Sequence, residues 1–171
     1  MPGRLAGMAL GKDYTSQDCS LARALEVVGE RWTLLIVRDA FYGVRRFSDF
    51  RAHLDVPKAV LSDRLQKLVE AGVLDKQGHE YVMTSRGRGL WPVVHTLGRW
   101  GEQLHGSLQY RLFLHAACGT RIDSDGRCPS CTTLVAPDDV ELRPGAGSER
   151  RDDPVSKLLR EPHRMLEPIR P

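Results

Sequence analysis

Four residues in the last third of this 171-residue chain have the types and spacing of a metal site. They are His115, Cys118, Cys128 and Cys131, and they follow the pattern H-x2-C-x9-C-x2-C. Two tight turns of this kind present imidazole and thiolate groups in the tetrahedral arrangement that Zn²⁺ prefers. Because the surrounding segment holds few apolar residues, a metal would supply stability that a core of this size lacks. The pattern therefore predicts one structural zinc.

Three other interpretations of these cysteines remain open. The pair Cys128 and Cys131 has the spacing of a redox dithiol, although a turn precedes it where such pairs ordinarily follow a strand. A catalytic zinc of the deaminase type needs a Glu beside the His and a Pro before the paired cysteines, and neither is present. The third interpretation is a loop whose cysteines bind no metal. With zinc, the segment resembles a zinc ribbon in which His115 replaces one cysteine.

Composition limits the class of protein. The chain is 41% hydrophobic and 27% charged, which suits one globular domain with a small appendage. We expect a cytoplasmic protein, since no apolar run approaches the roughly 18 residues of a membrane helix and no secretory signal is evident. The net charge is +3, and the basic excess lies in residues 1–112, which permits a polyanionic partner.

No enzymatic motif stands out. The chain lacks a nucleophile elbow, a phosphate-binding loop and paired carboxylates, so we do not expect an enzyme. Five other histidines are scattered without evident partners and are expected at a surface or an interface: His53, His79, His95, His105 and His163.

Apolar periodicity predicts four helices in the first half of the chain. One ends near Gly29, a second runs from Arg31 to Phe41 with Gly43 ending it, a short third covers Phe47 to Leu54, and a longer fourth runs from Lys58 to Ala71. The last two, joined by three or four residues, have the proportions of a helix-turn-helix. Two short strands around Gly78 then predict a hairpin.

A long apolar stripe follows. After Thr84, a helix of about five turns is expected to carry apolar residues along one face, with a kink at Pro92. Packing against the Trp32 helix accounts for the first half of this stripe. We expect a second copy of the chain to cover the rest, because so small a domain cannot cover it alone. The predicted dimer residues are Leu97, Trp100, Leu104 and Leu108.

Six short motifs in order carry a family resemblance. They include Val28-Gly29-Glu30-Arg31-Trp32, Arg46-Phe47-Ser48-Asp49-Phe50, Leu61-Ser62-Asp63-Arg64-Leu65 and Leu68-Val69-Glu70-Ala71-Gly72, and they close with Met83-Thr84 and Trp100. From Cys19 to Trp100 the chain resembles the HxlR family of bacterial winged-helix transcription regulators, relatives of the MarR type. Two features depart from the family pattern: Ser20 replaces the usual Pro after the cysteine, and the wing is short.

The resemblance implies a mainly α fold with a small β-hairpin wing, a winged helix-turn-helix followed by the Cys-rich, zinc-ribbon-like module. The helix from Lys58 to Ala71 would enter the major groove of double-stranded DNA. The base-reading candidates are Lys58, Ser62 and Gln66. The phosphate-binding candidates are Arg45, Arg46, Ser48, Arg64, Lys67, Lys76 and His79. The resemblance thus implies a dimeric repressor that binds an inverted-repeat operator. The alternative is a winged-helix module for protein contacts that binds no DNA and uses the zinc-ribbon-like segment as its docking surface.

The resemblance also implies a sensor. Members of the family respond to electrophiles or oxidants through a cysteine at the start of the first helix, and Cys19 has that position. A helix N-terminus favours the reactive thiolate. The alternative is an unreactive, buried cysteine.

The predicted organisation has four parts. Residues 1–15 form a flexible arm, 16–112 a winged-helix DNA-binding domain with its dimerisation helix, 113–143 the zinc-ribbon-like module, and 144–171 a disordered tail. Within the tail, one helical turn near Val155 to Leu159 is compatible with the sequence.

Overall fold

The structure is a computed structural model that describes residues 13–14, 16–104, 106, 109–148 and 151–171. The predicted arm, apart from residues 13–14, lies outside the described residues. The helices are α1 (Ser20–Val28), α2 (Thr33–Phe41), α3 (Phe47–Leu54), α4 (Lys58–Glu70), α5 (Ser85–Arg88), α6 (Trp91–Leu104) and α7 (Pro154–Leu158). The strands are β1 (Leu74–Gln77), β2 (Glu80–Met83), β3 (Arg111–His115), β4 (Arg127–Cys128), β5 (Thr133–Leu134), β6 (Val140–Pro144) and β7 (His163–Arg164).

Helices α3 and α4 form the predicted helix-turn-helix. Asp55 ends α3 in the left-handed region at φ +51°, and Pro57 stands at the N-cap of α4, where a missing N–H donor costs little. Helix α4 buries Leu61, Leu65 and Leu68 completely. The burial of these leucines determines which face of α4 is exposed to solvent.

The predicted wing is also present. Strands β1 and β2 pair with Gln77 opposite Glu80, which leaves Gly78 and His79 as a two-residue turn. Gly78 has φ +60°, a conformation that suits glycine in such turns. The wing is therefore a tight hairpin with its tip at His79.

The helix predicted after Thr84 is divided in two. Thr84 caps only the single turn α5, where its Oγ1 accepts a hydrogen bond from the backbone N–H of Gly87 at 3.0 Å. A new helix, α6, begins at Trp91, so Pro92 lies in its first turn and need not break any hydrogen bond. The kink predicted at Pro92 is therefore wrong.

The Cys-rich module contains two small antiparallel sheets. One has the strand order β3-β6-β7, with Arg111 opposite Pro144 and His115 opposite Val140, and the other is the β4-β5 hairpin. The expected boundary between residues 112 and 113 falls inside β3. The sheet thus begins before the predicted module and ends beyond it.

The predicted disordered tail is wrong for residues 151–171. Helix α7 packs on α3, and β7 pairs with β6. The four residues that anchor this segment, each 5% exposed or less, are Val155, Leu159, Met165 and Ile169. They are too few and too widely spaced among charged residues to raise the average hydrophobicity, which explains why composition indicated disorder.

Backbone contacts join this C-terminal segment to the end of α2. The N–H of Leu166 donates to the carbonyl of Phe41 at 2.8 Å, and that of Ile169 donates to Gly43 at 2.9 Å. Gly43 has φ +92°, and a Cβ there would lie 1.8 Å from the carbonyl oxygen of Glu167. The close approach of the two segments therefore requires glycine at position 43.

A buried polar group joins α2 to α3. Asp39 is fully buried, accepts from His53 Nδ1 at 2.8 Å and from Arg38 Nη2 at 2.7 Å, and so has partners on both sides. His53 and His95 are both buried, which corrects their expected place at a surface or an interface. Each acquires a partner distant in sequence, which spacing alone does not reveal.

Among the described residues, no helix is long and apolar enough to cross a membrane.

Candidate nucleic-acid interface and metal centre

The outward face of α4 carries the three base-reading candidates. Lys58, Ser62 and Gln66 are four residues apart and all exposed, on a face that adjoins the buried leucines of the same helix. The amide of Gln66 donates to Glu70 Oε1 at 2.9 Å, one turn further along. The face therefore presents an ammonium, a hydroxyl and an amide in one row.

Two of the seven phosphate-binding candidates, Arg64 and Arg45, are held by side-chain hydrogen bonds to other elements of the fold. Arg64 is 15% exposed at its side chain and bonds to Glu30 Oε2 at 2.8 Å, as well as to Asp63. Arg45 donates to the carbonyl of Leu166 at 3.2 Å. Arg64 thus ties α4 to the turn before α2, and Arg45 ties the start of α3 to the C-terminal segment.

The other five candidates surround α4 with fewer constraints. Arg46 and Ser48 are exposed at the start of α3, beside the wing, because Arg46 forms a β-bridge with Glu80. Lys67 lies 3.1 Å from Asp63 Oδ2 on α4 itself. On the wing, Lys76 lies over the Tyr81 ring and His79 is exposed at the tip.

The apolar stripe of α6 is exposed. Leu97, Trp100 and Leu104 have 45%, 57% and 58% of their surface accessible, and Val93 on the same face has 46%. Leu108, the fourth predicted dimer residue, lies outside the described residues. The stripe is larger than the isolated apolar side chains that ordinary surfaces carry.

Cys19 stands at the N-cap of α1 and is exposed. The buried alternative for this residue is therefore wrong. Arg23, one turn into the helix, donates to Glu26 Oε1 at 2.7 Å and to the carbonyls of Tyr14 and Gln17 at 2.8 Å. The thiol thus lies at the open end of a helix whose nearby arginine is engaged with other groups.

The four metal-ligand candidates come together. His115 and Cys118 lie in the turn that ends β3, while Cys128 and Cys131 lie in the β4-β5 turn. Their ligand atoms all lie within 4.8 Å of one another. Cys118 Sγ is 3.3 Å from His115 Nδ1 and 3.5 Å from Cys128 Sγ. A tetrahedron with Zn–S bonds of 2.3 Å has edges of about 3.7 Å, so the donor set fits a zinc ion.

Hydrogen bonds within and around the four residues favour negative charge on the sulfur atoms of Cys118 and Cys128 and hence a bound cation. Hydrogen bonds from Thr120 lower the pKa of Cys118 to about 6, which favours its thiolate. The pKa of Cys131 is raised to about 11, first by hydrogen bonding with Cys118. The backbone N–H of Cys131 donates to Cys128 Sγ at 3.4 Å, a contact that stabilises negative charge on sulfur. Three clustered thiols resist full ionisation without a cation among them, and a bound metal removes that conflict.

Asp139 is a residue that sequence reasoning missed. Its Oδ2 accepts from His115 Nε2 at 2.9 Å, which leaves Nδ1 facing the sulfurs. A carboxylate behind a ligating histidine is the usual second partner of that ring in metal sites. Its position 24 residues from His115 carries no spacing signal, because the contact is made across the β3-β6 pair.

Comparison with known proteins identifies the helix-turn-helix part of the chain. The profile of the HxlR-like helix-turn-helix family matches residues 27–108. Over 140 residues, the chain is 39% identical to Rv3095 of Mycobacterium tuberculosis, an uncharacterized HTH-type transcriptional regulator, with 75% of this chain and 87% of that protein covered.

Two solved structures are also similar. PA1374 from Pseudomonas aeruginosa is 37% identical and covers 61% of this chain and 76% of its own, with a TM-score of 0.44. Quinone-bound YodB from B. subtilis is 25% identical and covers 48% of this chain and 96% of its own, with a TM-score of 0.46. On the match to the family profile and to Rv3095, this chain belongs to the HxlR-like family of HTH-type transcriptional regulators.

Proposed function

We propose that the protein is a dimeric transcriptional repressor that binds an inverted-repeat operator through α4. The observation that carries this proposal is the division of α4 into a buried leucine face and an exposed row of Lys58, Ser62 and Gln66. Glutamine pairs in bidentate fashion with adenine, while serine and lysine bond to several base edges in the major groove. The row therefore suits direct reading of sequence.

Phosphate contacts would fix the helix in the groove. Arg46 and Ser48 precede it, Lys67 lies on it, and Lys76 and His79 extend from the wing. Arg45 and Arg64 would have to exchange their present partners to reach a phosphate, so we assign them first to holding α3 and α4 in place. Such contacts make affinity depend strongly on salt.

The exposed stripe of α6 would join two copies. Burying Leu97, Trp100 and Leu104 against their symmetry mates removes apolar surface from water and relates the two α4 helices by a twofold axis. Two such helices read half-sites about one helical turn apart.

Fluorescence anisotropy with labelled DNA tests this function. We expect a fragment from upstream of the protein's own gene to bind more tightly than random duplex of equal length, with affinity for both falling as salt rises. Footprinting should then show two symmetric half-sites. Absent or salt-insensitive binding would instead favour a winged helix used only for protein contacts.

We further propose that His115, Cys118, Cys128 and Cys131 hold one structural zinc. Native mass spectrometry of the purified chain should show one Zn²⁺ per copy, lost on chelation. The variant Cys128→Ser should lose the ion and melt at lower temperature, whereas Cys19→Ser, outside the cluster, should retain it. A metal-free Cys128-Cys131 disulfide in the native protein would support a redox pair instead.

Cys19 would serve as the sensor. Modification of its exposed thiol adds bulk at the first turn of α1, which changes the local packing. In a reporter strain, diamide or methylglyoxal should release repression by the natural protein and leave Cys19→Ala repressed. Equal induction of both would exclude this role for Cys19.

A further inference from the structure

A cleft lies between α6 and the start of the Cys-rich sheet. It consists of a cavity of about 190 Å³ and a neighbouring one of about 350 Å³, and both are lined by Arg38, Tyr42, Tyr110 and Arg111. The smaller cavity is bounded by α2, α6 and β3. It lies away from the DNA-reading row, from Cys19 and from the metal cluster, so none of the proposals above uses it.

The floor of the smaller cavity is aromatic. The rings of Trp91 and Phe113 meet edge to face with centroids 5.3 Å apart, and His95 packs beside both. Aromatic rings in this arrangement can make both edge-to-face and stacked contacts with a planar ligand. The cavity thus favours a planar apolar body.

Trp91 and His95, which line this cavity, each carry a buried ring nitrogen that is unsatisfied. Trp91 Nε1 and His95 Nδ1 have no hydrogen-bond partner in the described part of the chain. His95 Nε2 donates to the carbonyl of Asp123 at 2.8 Å, and burial lowers the pKa of His95, so the neutral ring leaves Nδ1 as an acceptor. An unpaired donor and an unpaired acceptor, each costly to bury, therefore belong to two packed rings whose centroids lie 5.1 Å apart.

The rim carries a cation without a direct ion pair among the described residues. Arg38 is paired with Asp39, and Arg99 with Glu102. Arg111, by contrast, is half-buried with no carboxylate within 4.0 Å among the described residues, and Asp39 and Asp153 act on it only from further away. Its Nη1 donates to the carbonyl of Leu159 at 2.7 Å. A partly desolvated guanidinium whose nearest carboxylates lie beyond ion-pair distance favours an anion beside it.

We propose that this cleft binds a small planar aromatic anion, with its charged group on Arg111 and its ring against Trp91 and Phe113. An engineered apolar cavity of about 150 Å³ holds benzene, so 190 Å³ suits a single ring with one substituent. The second cavity, beyond Arg111, has a more polar lining and leaves room for the hydrated anionic group.

The geometry of α6 links this site to the rest of the molecule. Trp91, Val94, His95 and Gly98 share the face that lines the cavity, whereas Leu97 and Trp100 lie on the exposed stripe. Gly98 and Gly101 have no atom within 4 Å of where a Cβ would be, which keeps the cavity open on this side. A ligand in the cleft therefore touches the inner face of the helix whose outer face is proposed to pair two copies.

Binding can be measured without DNA. The probe is 4-fluorobenzoate, followed by ¹⁹F NMR with the full-length chain as purified, and 4-fluorobenzamide serves as the uncharged counterpart. We expect the benzoate to bind and the indole N–H signal of Trp91 to shift in parallel, with the amide at least about tenfold weaker. Trp91→Phe identifies that signal among the three indoles.

Two variants separate the contributions of shape and charge. Gly98→Leu fills the cavity while replacing a helical glycine with a better helix former, so the chain should fold at least as well and lose the probe. Gln103→Leu, on an exposed part of the same helix, should bind normally. Arg111→Gln keeps a donor for Leu159 and should remove the preference for benzoate over benzamide.

Three outcomes would overturn the proposal. They are unchanged binding in Gly98→Leu, equal affinity for acid and amide in the natural protein, and no binding of either probe. Trp91 and His95 also border a separate cavity of about 240 Å³ near Leu134 and Ala136. Loss of the probe in Ala136→Leu but not in Gly98→Leu would place the ligand there and also contradict the proposal.

Discussion

His115 is held by Asp139 through a 2.9 Å hydrogen bond from Nε2 to Oδ2, and this bond fixes the opposite ring nitrogen toward the cysteine sulfurs. The carboxylate in turn accepts from Arg164 of β7, with Oδ1 at 3.3 Å. The metal cluster is thus connected, through one aspartate, to the segment that returns to the helix-turn-helix.

Replacing Asp139 tests this connection. Asp139→Asn keeps the shape of the side chain but removes the charge that holds the imidazole, so we expect zinc affinity to fall about 10- to 100-fold. Competition with a chromophoric chelator measures the change. Asp138→Asn is the matched control, because its carboxylate pairs with Arg88 on the surface. Equal losses in both variants would show that Asp139 has no special part in holding the metal.

Two adjacent residues of α4 should differ in what they contribute to DNA binding. Gln66→Ala should weaken binding to the operator by about 1–3 kcal/mol and relax the preference at one base pair, because it removes a base contact. Lys67→Ala should weaken binding to all sequences alike and reduce the salt dependence by about one ion, because it removes a phosphate contact. Anisotropy titrations at several salt concentrations distinguish the two. Identical behaviour of the variants would argue against the assigned orientation of α4.

The two adjacent leucines at the C-terminal end of α7, Leu158 and Leu159, should differ in their effect on stability. Leu159 is 1% exposed and Leu158 is 43% exposed. Leu159→Ala should lower the free energy of unfolding by about 2–5 kcal/mol through the cavity it leaves. Leu158→Ala should change it by less than about 0.5 kcal/mol. Urea unfolding followed by circular dichroism measures both, and two neutral variants would mean that the tail does not dock in solution.

A charge in the stripe of α6 should separate the two copies. Trp100→Glu places a carboxylate where an apolar contact is proposed, and the cost of burying it should shift a dimer to monomers. Gln103→Glu adds the same charge at an exposed position nearby and should remain dimeric. Sedimentation equilibrium gives the masses. A natural protein that already sediments as a monomer would contradict the dimer.

The winged helix could be predicted from the sequence because its signals lie within short stretches of the chain. Periodic leucines in α4, the break at Asp55 to Pro57 and the glycine at position 78 are signals within a few residues, and the structure confirms each of the elements they predict. The ligand spacing of the cysteines is equally local, and the four side chains do converge.

The missed features depend on contacts between distant segments. Asp139 meets His115 across a strand pair, Asp39 meets His53 between two helices, and Ile169 meets Gly43 after most of the chain has intervened. Sequence periodicity does not predict such contacts, because each contact joins a single residue of one segment to a single residue of another. Burial of His53 and His95 went unpredicted for the same reason.

The docking of α7 on α3 also bears on synthesis. Because residues are added from the N-terminus, the surface of α3 that receives α7 stays uncovered until Pro154–Leu158 have been synthesised. A message truncated after the Cys-rich sheet would yield a product with a complete α4 and exposed apolar surface on its neighbour. Such a product would be a substrate for chaperones and proteases.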